Sequence, residues 1–318
     1  GGLSAVYNKV PHDFWNLIHP ASDKKYPWYA ILLGYPVSAV AFFCTDQAMV
    51  QSVLGAKNLE QGQLGVNFIG WLKILSLPLF ILTGILCFIL FPGLKDPAEA
   101  YMTMVTHLFP PGLNGLVIVL LIAVLVGTIG SSLNSLSTVF TMDVYSKKIN
   151  PNASNKQIIK VGRISVVAGC VFAIIVALAI DNIKVLNLFA IFQSVLGFIA
   201  PPLAVVFLLT VFWPRTTRTA VNLVLSAGSA FSLGVGVLYL WVFTPDKYHF
   251  WPHYLMLSFY IFIFLLLAAV IISLADKNPV IYLRDKMVKA NISPTTRRVK
   301  IAWAALVVVM ICLYILFD

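Results

Sequence analysis

The chain has 318 residues, 60% of them hydrophobic and only 11% charged. That excludes an ordinary water-soluble globule, which has no use for so much apolar surface; a helix crossing a bilayer does, needing about 20 apolar residues in a row. The net charge of +10 does not mark a nucleic-acid surface, because the bases lie between apolar blocks rather than along one face and read as topology charges.

The chain opens at Gly1 with neither an initiator methionine nor a signal-like region, and is read as part of a longer protein. Residues 1–27 form a first segment, in which the aromatic run "YNKVPHDFWNLIHP" fits a membrane interface. Eight apolar spans follow: Trp28–Val50, Gly65–Phe91, Leu113–Phe140, Ile158–Ile180, Val185–Trp213, Ala220–Phe243, Tyr254–Leu274 and Ile301–Phe317. Backbone in lipid must satisfy its own hydrogen bonds, so each span is expected to be a helix. The blocks lack the alternation of a strand barrel. The expected fold is an all-α, polytopic membrane helix bundle.

Placing 1–27 outside puts fifteen bases inside: Lys57, Lys147, Lys148, Lys156, Lys160, Arg163, Arg215, Arg218, Lys277, Arg284, Lys286, Lys289, Arg297, Arg298 and Lys300. Only Lys9, Lys24, Lys25, Lys95, Lys184 and Lys247 stay outside. This asymmetry orients the chain with both ends outward. The sequons at Asn152 and Asn291 then fall inside and are read as chance matches. The four cysteines, Cys44, Cys87, Cys170 and Cys312, sit in apolar blocks without metal or disulfide spacing and are assigned to packing.

Irregularities within the spans carry the functional signal. In the first span Pro36 is a tolerated kink, and Asp46 of "FFCTDQ" reads as a helix-end carboxylate paired with a nearby base. The second span holds Lys73 about 8 residues, or roughly 12 Å, from its start. A lysine stem reaches only about 6 Å, so snorkelling stops short of the headgroups. An ammonium at that depth needs a wet cavity or a partner. "DPAEAYMTMVTHLFPPG" (Asp96–Gly112) predicts a short surface helix. The third span turns small and polar in "VGTIGSSLNSLSTVF", which serves either close helix packing or a hard cation such as sodium that prefers oxygen ligands. In the fifth, "FQSVLGFIAPPLAVVF" removes two adjacent N–H donors and predicts a helix broken at Pro201, as at transporter binding sites. No nucleophile–base constellation or phosphate loop is present, so enzymatic chemistry is not expected.

"CTDQAMVQSVLGAKN" (Cys44–Asn58), "GWLK" (Gly70–Lys73), "NSLSTVFTMDVYSK" (Asn134–Lys147) and "QSVLGFIAPPLAVVFLLTVFW" (Gln193–Trp213) together resemble the sodium–glucose cotransporter branch of the sodium/solute symporter family. The resemblance implies a LeuT-like core of two inverted five-helix repeats. Residues 28–213 would be the second repeat and 214–318 three peripheral helices with a basic cytoplasmic loop. The missing N-terminal repeat of the same protein would complete the sugar and sodium sites, so this stretch alone would not transport.

By that resemblance Lys73 and Gln193 hydrogen-bond a sugar or polyol. Phe189 is an aromatic gate, and Phe42–Phe43 stand where the sugar branch has Tyr-Trp. Sodium, the coupling ion, would meet the Val124 carbonyl and Thr128, with Ser131 nearby; Gly127 occupies a position where the family has a hydroxyl. The Phe pair leaves the solute open between a hexose, another sugar, a cyclitol and a carboxylate. Gly127 leaves proton coupling open. A membrane solute sensor is the reading from another class.

Overall fold

The computed structural model describes residues 6–7, 9–11, 14–23, 26–94, 96–181, 188–245, 247–248, 250–276 and 295–316. Lys24, Lys25, Lys95, Lys184, Lys277, Arg284, Lys286, Lys289, the sequon at Asn291, the start of the fifth span and Phe317 lie outside the described residues. Among the described residues all regular structure is helical, and eight helices are long and apolar enough to cross a membrane, as expected.

Helix α1 (Trp28–Thr45) buries Ala30, Gly34, Val37, Ser38 and Ala41, a spacing that makes one continuous face. It stops at Asp46, whose Oδ1 accepts the N–H groups of Ala48 at 2.9 Å and Met49 at 3.1 Å and so starts the short α2 (Gln47–Leu54). The carboxylate does act at a helix end, but on backbone amides. Asn58 then caps α3 (Leu59–Leu90), its Oδ1 accepting from Gln61 N–H at 2.9 Å. This cap draws the polar turn before the apolar run into the helix, which therefore begins six residues ahead of the expected Gly65.

The predicted surface helix is present. Asp96 accepts from Ala98 N–H at 2.9 Å, a 3₁₀ turn covers Pro97–Glu99, and α4 runs over Ala100–Leu108. With Pro111 in its first turn, α5 (Pro111–Ile149) continues past the expected Phe140, its last stretch (Phe140–Ile149) wound as a π-helix. The remaining helices are α6 (Asn155–Asp181), α7 (Leu188–Phe212), α8 (Arg218–Val242, with π turns at Val224–Gly228 and Leu238–Val242), α9 (Tyr254–Ala275) and α10 (Arg297–Leu316).

The chain divides into two compact units. The first comprises Gly1–His19, Val53–Asp143 and Thr295–Asp318. Within it Thr296 Oγ1 donates to Glu60 Oε1 at 3.0 Å, and a Cβ on Gly70 would sit 2.6 Å from Leu306 Cδ1. Both pairs are 236 residues apart, so α3 and α10 run side by side in the same direction without slipping register. Helix α4 folds back on α3 and closes over Cys87, whose Sγ lies 3.5 Å from the Ala100 carbonyl. The Phe91 and His107 rings meet there at 5.1 Å.

The second unit comprises Pro20–Ser52 and Val144–Pro294. Its centre is α7, packed by α1, α8 and α9. Gly34 of α1 lies directly on the Leu255 backbone of α9, with no room for a Cβ. The Thr217 N–H donates to Ser273 Oγ at 3.3 Å and ties the start of α8 to the end of α9.

The expected break at Pro201 is not there: α7 is one helix from Leu188 to Phe212 with both prolines inside and fully buried. Pro202 cannot donate to the Phe198 carbonyl, and Ser232 Oγ of α8 donates to it instead. Gly236 clears the way for this approach, since a Cβ there would be 2.8 Å from the Phe198 ring. A neighbouring helix thus supplies the hydrogen that the proline removes.

Candidate functional site

The predicted site residues fall into three groups, each held within one unit. The first is Lys73, near the middle of α3, 14 residues after Leu59 and 17 before Leu90. Its side chain is on a face that the first unit leaves exposed. The Ser76 hydroxyl donates to the Lys73 carbonyl at 2.7 Å, so this turn carries polar groups on both backbone and side chain. The longer helix places the Lys73 Cα about 21 Å along the axis from the capped end, farther than the apolar run alone indicated.

The second group is the polar face of α5, also in the first unit. Residues 124, 127, 128 and 131 recur at spacings of three and four and share one side of the helix. Thr128 Oγ1 donates to the Val124 carbonyl at 2.9 Å, which brings two oxygens together. Nearly three turns further, Thr138 Oγ1 donates to the Asn134 carbonyl at 2.8 Å. Val124 is 65% exposed, Ser131 is exposed, and a Cβ on Gly127 would meet nothing within 4 Å. These neutral oxygens suit a hard cation such as sodium. One helix face offers two or three of them, which is part of a coordination shell and fits an ion completed by groups from elsewhere.

The third group belongs to the second unit. Phe189 and Gln193 stand one turn apart on α7, Phe189 58% exposed and Gln193 half-buried. At the far end of α1 the rings of Phe42 and Phe43 meet edge to face with centroids 5.1 Å apart. An amide offers two donors and an acceptor, and aromatic faces cover the C–H side of a sugar-like ring. Gln193 precedes by one turn the Gly197–Phe198 segment whose backbone Pro201 and Pro202 deprive of donors.

Sequence reasoning passed over a set of buried serines in this unit. Ser38, Ser194, Ser232 and Ser258 are at most 4% exposed. Their signal was a lone serine inside an apolar and aromatic stretch, as in "GYPVSAVAFF" and "YLMLSFYIF".

Residues 6–222 match the sodium:solute symporter family, more than half of the chain. The chain belongs to that family. Individual relatives agree. This symporter-family chain is 32% identical over 223 residues to the human sodium/myo-inositol cotransporter 2, an alignment covering 65% of this chain and 33% of the relative. It is 32% identical over 209 residues to sodium/glucose cotransporter 4 of Danio rerio, covering 60% and 32%. It is 33% identical over 227 residues to a sodium/mannose cotransporter of Bos taurus, covering 64% and 37%. The chain thus spans about a third of the length of the curated relatives it matches. Family membership and eight membrane-length helices make it a multi-pass membrane protein of a transporter family.

Proposed function

We propose that the intact symporter couples inward sodium flow to uptake of a neutral, polyhydroxylated solute, a sugar or cyclitol, by alternating access. The observation that carries this is the pairing of two oxygen-bearing elements of different chemistry within one chain of this family. The Thr128–Val124 oxygens on α5 suit sodium. The Gln193 amide on α7, below the exposed Phe189 ring, suits hydroxyl groups. The printed names of the relatives, which are sodium cotransporters for myo-inositol, glucose and mannose, fall in the same solute class.

In this reading Lys73 donates to solute hydroxyls as an ammonium with three N–H groups, and Gln193 both donates and accepts. Phe42, Phe43 and Phe189 cover the ring faces. Sodium binds at Val124 and Thr128, with Ser131 in reach of the same face, and favours the outward-open state. Solute then binds, and rocking of the helix bundle opens both sites to the inside. Residues 28–213 act as the second inverted repeat, with 214–318 peripheral, and an N-terminal repeat of the same protein completes both sites. The basic loops lie in the cytoplasm and both ends of this stretch lie outside.

Gln193→Ala in the intact carrier tests the assignment. Apparent solute affinity in membrane vesicles is expected to fall about tenfold or more, the loss of one or two hydrogen bonds to a neutral ligand, at unchanged carrier level. Unchanged affinity would remove Gln193 from the site.

A further inference from the structure

Hydroxyl side chains inside apolar helices commonly turn their proton back to the carbonyl four residues earlier. This chain does so repeatedly. Thr45 bonds Ala41, Thr83 bonds Leu79, Thr128 bonds Val124, Ser165 bonds Val161, Ser194 bonds Ala190 and Thr210 bonds Val206, all at 2.6–2.9 Å. Ser38 and Ser258 depart from the pattern. They are 4% and 0% exposed, and neither Oγ has a hydrogen-bond partner among the described residues. A buried hydroxyl left unpaired costs about 1–3 kcal/mol, so two in one core call for an explanation.

Their places in the fold converge. Ser38 is one turn past Gly34, which touches the Leu255 backbone, and Ser258 is three residues past Leu255. Ser258 also faces α7: its Cβ and Oγ lie 3.6 and 3.8 Å from where a Cβ on Gly197 would be. Helices α1, α7 and α9 each pack on the other two. Pro201 adds a third group, because it has no N–H to give the Gly197 carbonyl. Phe198, the next residue along, has its own proline-deprived carbonyl served by Ser232. Gly197 leaves out the side-chain carbon that would otherwise stand beside the Ser258 hydroxyl.

We propose that Ser38 Oγ, Ser258 Oγ and the Gly197 carbonyl form a binding site for a single buried water, which ties the proline-weakened turn of α7 to α1 and α9. Both hydroxyls donate to the water oxygen, and the water donates to the Gly197 carbonyl. Three hydrogen bonds are the usual complement of a buried water.

The sign of a serine-to-alanine substitution decides the matter in the purified full-length protein. If the hydroxyls are merely unpaired, Ser258→Ala and Ser38→Ala remove a desolvation cost, and the melting temperature stays level or rises. If they hold a water, each variant melts about 2 °C lower or more. The double variant then falls about as far as either single one, because the same water is lost once. Ser194→Ala, whose hydroxyl already bonds Ala190, is the control and is expected to melt unchanged. Level or raised melting of Ser38→Ala and Ser258→Ala overturns the proposal. So does a structure resolving ordered solvent in which the two hydroxyls bond the Gly34 and Tyr254 carbonyls with no density between them.

Discussion

Gly127 sets how many side-chain oxygens the polar face of α5 can offer a cation. Among the described residues a Cβ there meets nothing within 4 Å, so this chain itself leaves room for a serine. Gly127→Ser in the intact carrier is expected to lower the half-saturating sodium concentration about fivefold, the value of roughly one added polar contact. Thr128→Val should raise it by a similar factor. Sodium activation of solute uptake measures both, and no shift in either would take this face out of the ion's path. At this scale the sequence was most legible where chemistry is conspicuous. Lys73 among tryptophan, leucine and isoleucine, and Gln193 ahead of a double proline, stand out in any reading. It was least legible where the chemistry is small. Ser38 and Ser258 look like ordinary packing residues until the structure shows that neither hydroxyl follows the back-bonding used elsewhere in the chain.

At the scale of elements, the number and order of the spans follow from apolar length alone, and the Asp96 cap announced the surface helix. The ends were harder, because helices extend through polar turns when a cap supports them. Asn58 begins α3 six residues ahead of the apolar run, and α5 winds on to Ile149 through Lys147 and Lys148. The expected break in α7 failed for a tertiary reason: nothing near Pro202 in sequence shows that Ser232, on another helix, donates to the Phe198 carbonyl. Ser232→Ala is therefore expected to destabilise the fold by about 1–3 kcal/mol, since it leaves that carbonyl without its donor. Gly34→Val is expected to cost more, because its side chain must displace the Leu255 backbone rather than a movable side-chain end. Thermal unfolding of the purified carrier ranks the two. Equal stability of Ser232→Ala and wild type would mean that the prolines need no help from α8.

At the scale of the whole molecule, the proposed function places an ion face on α5 and solute-contacting groups on α3, α1 and α7 of one chain. Loop charge gives the orientation proposed for them. On a carrier stripped of its native cysteines, Gly112→Cys is expected to react with an impermeant thiol reagent from outside. Ser154→Cys should react only after permeabilisation. The reverse pattern would invert the topology and the direction of coupling with it. The most direct test of the central claim is uptake of labelled myo-inositol, glucose and mannose by vesicles containing the full-length protein, with and without an inward sodium gradient. Accumulation of at least one of these polyols is expected, collapsing without the gradient and not competed by carboxylates. Uptake indifferent to sodium, or displaced by carboxylates and not by polyols, would contradict it.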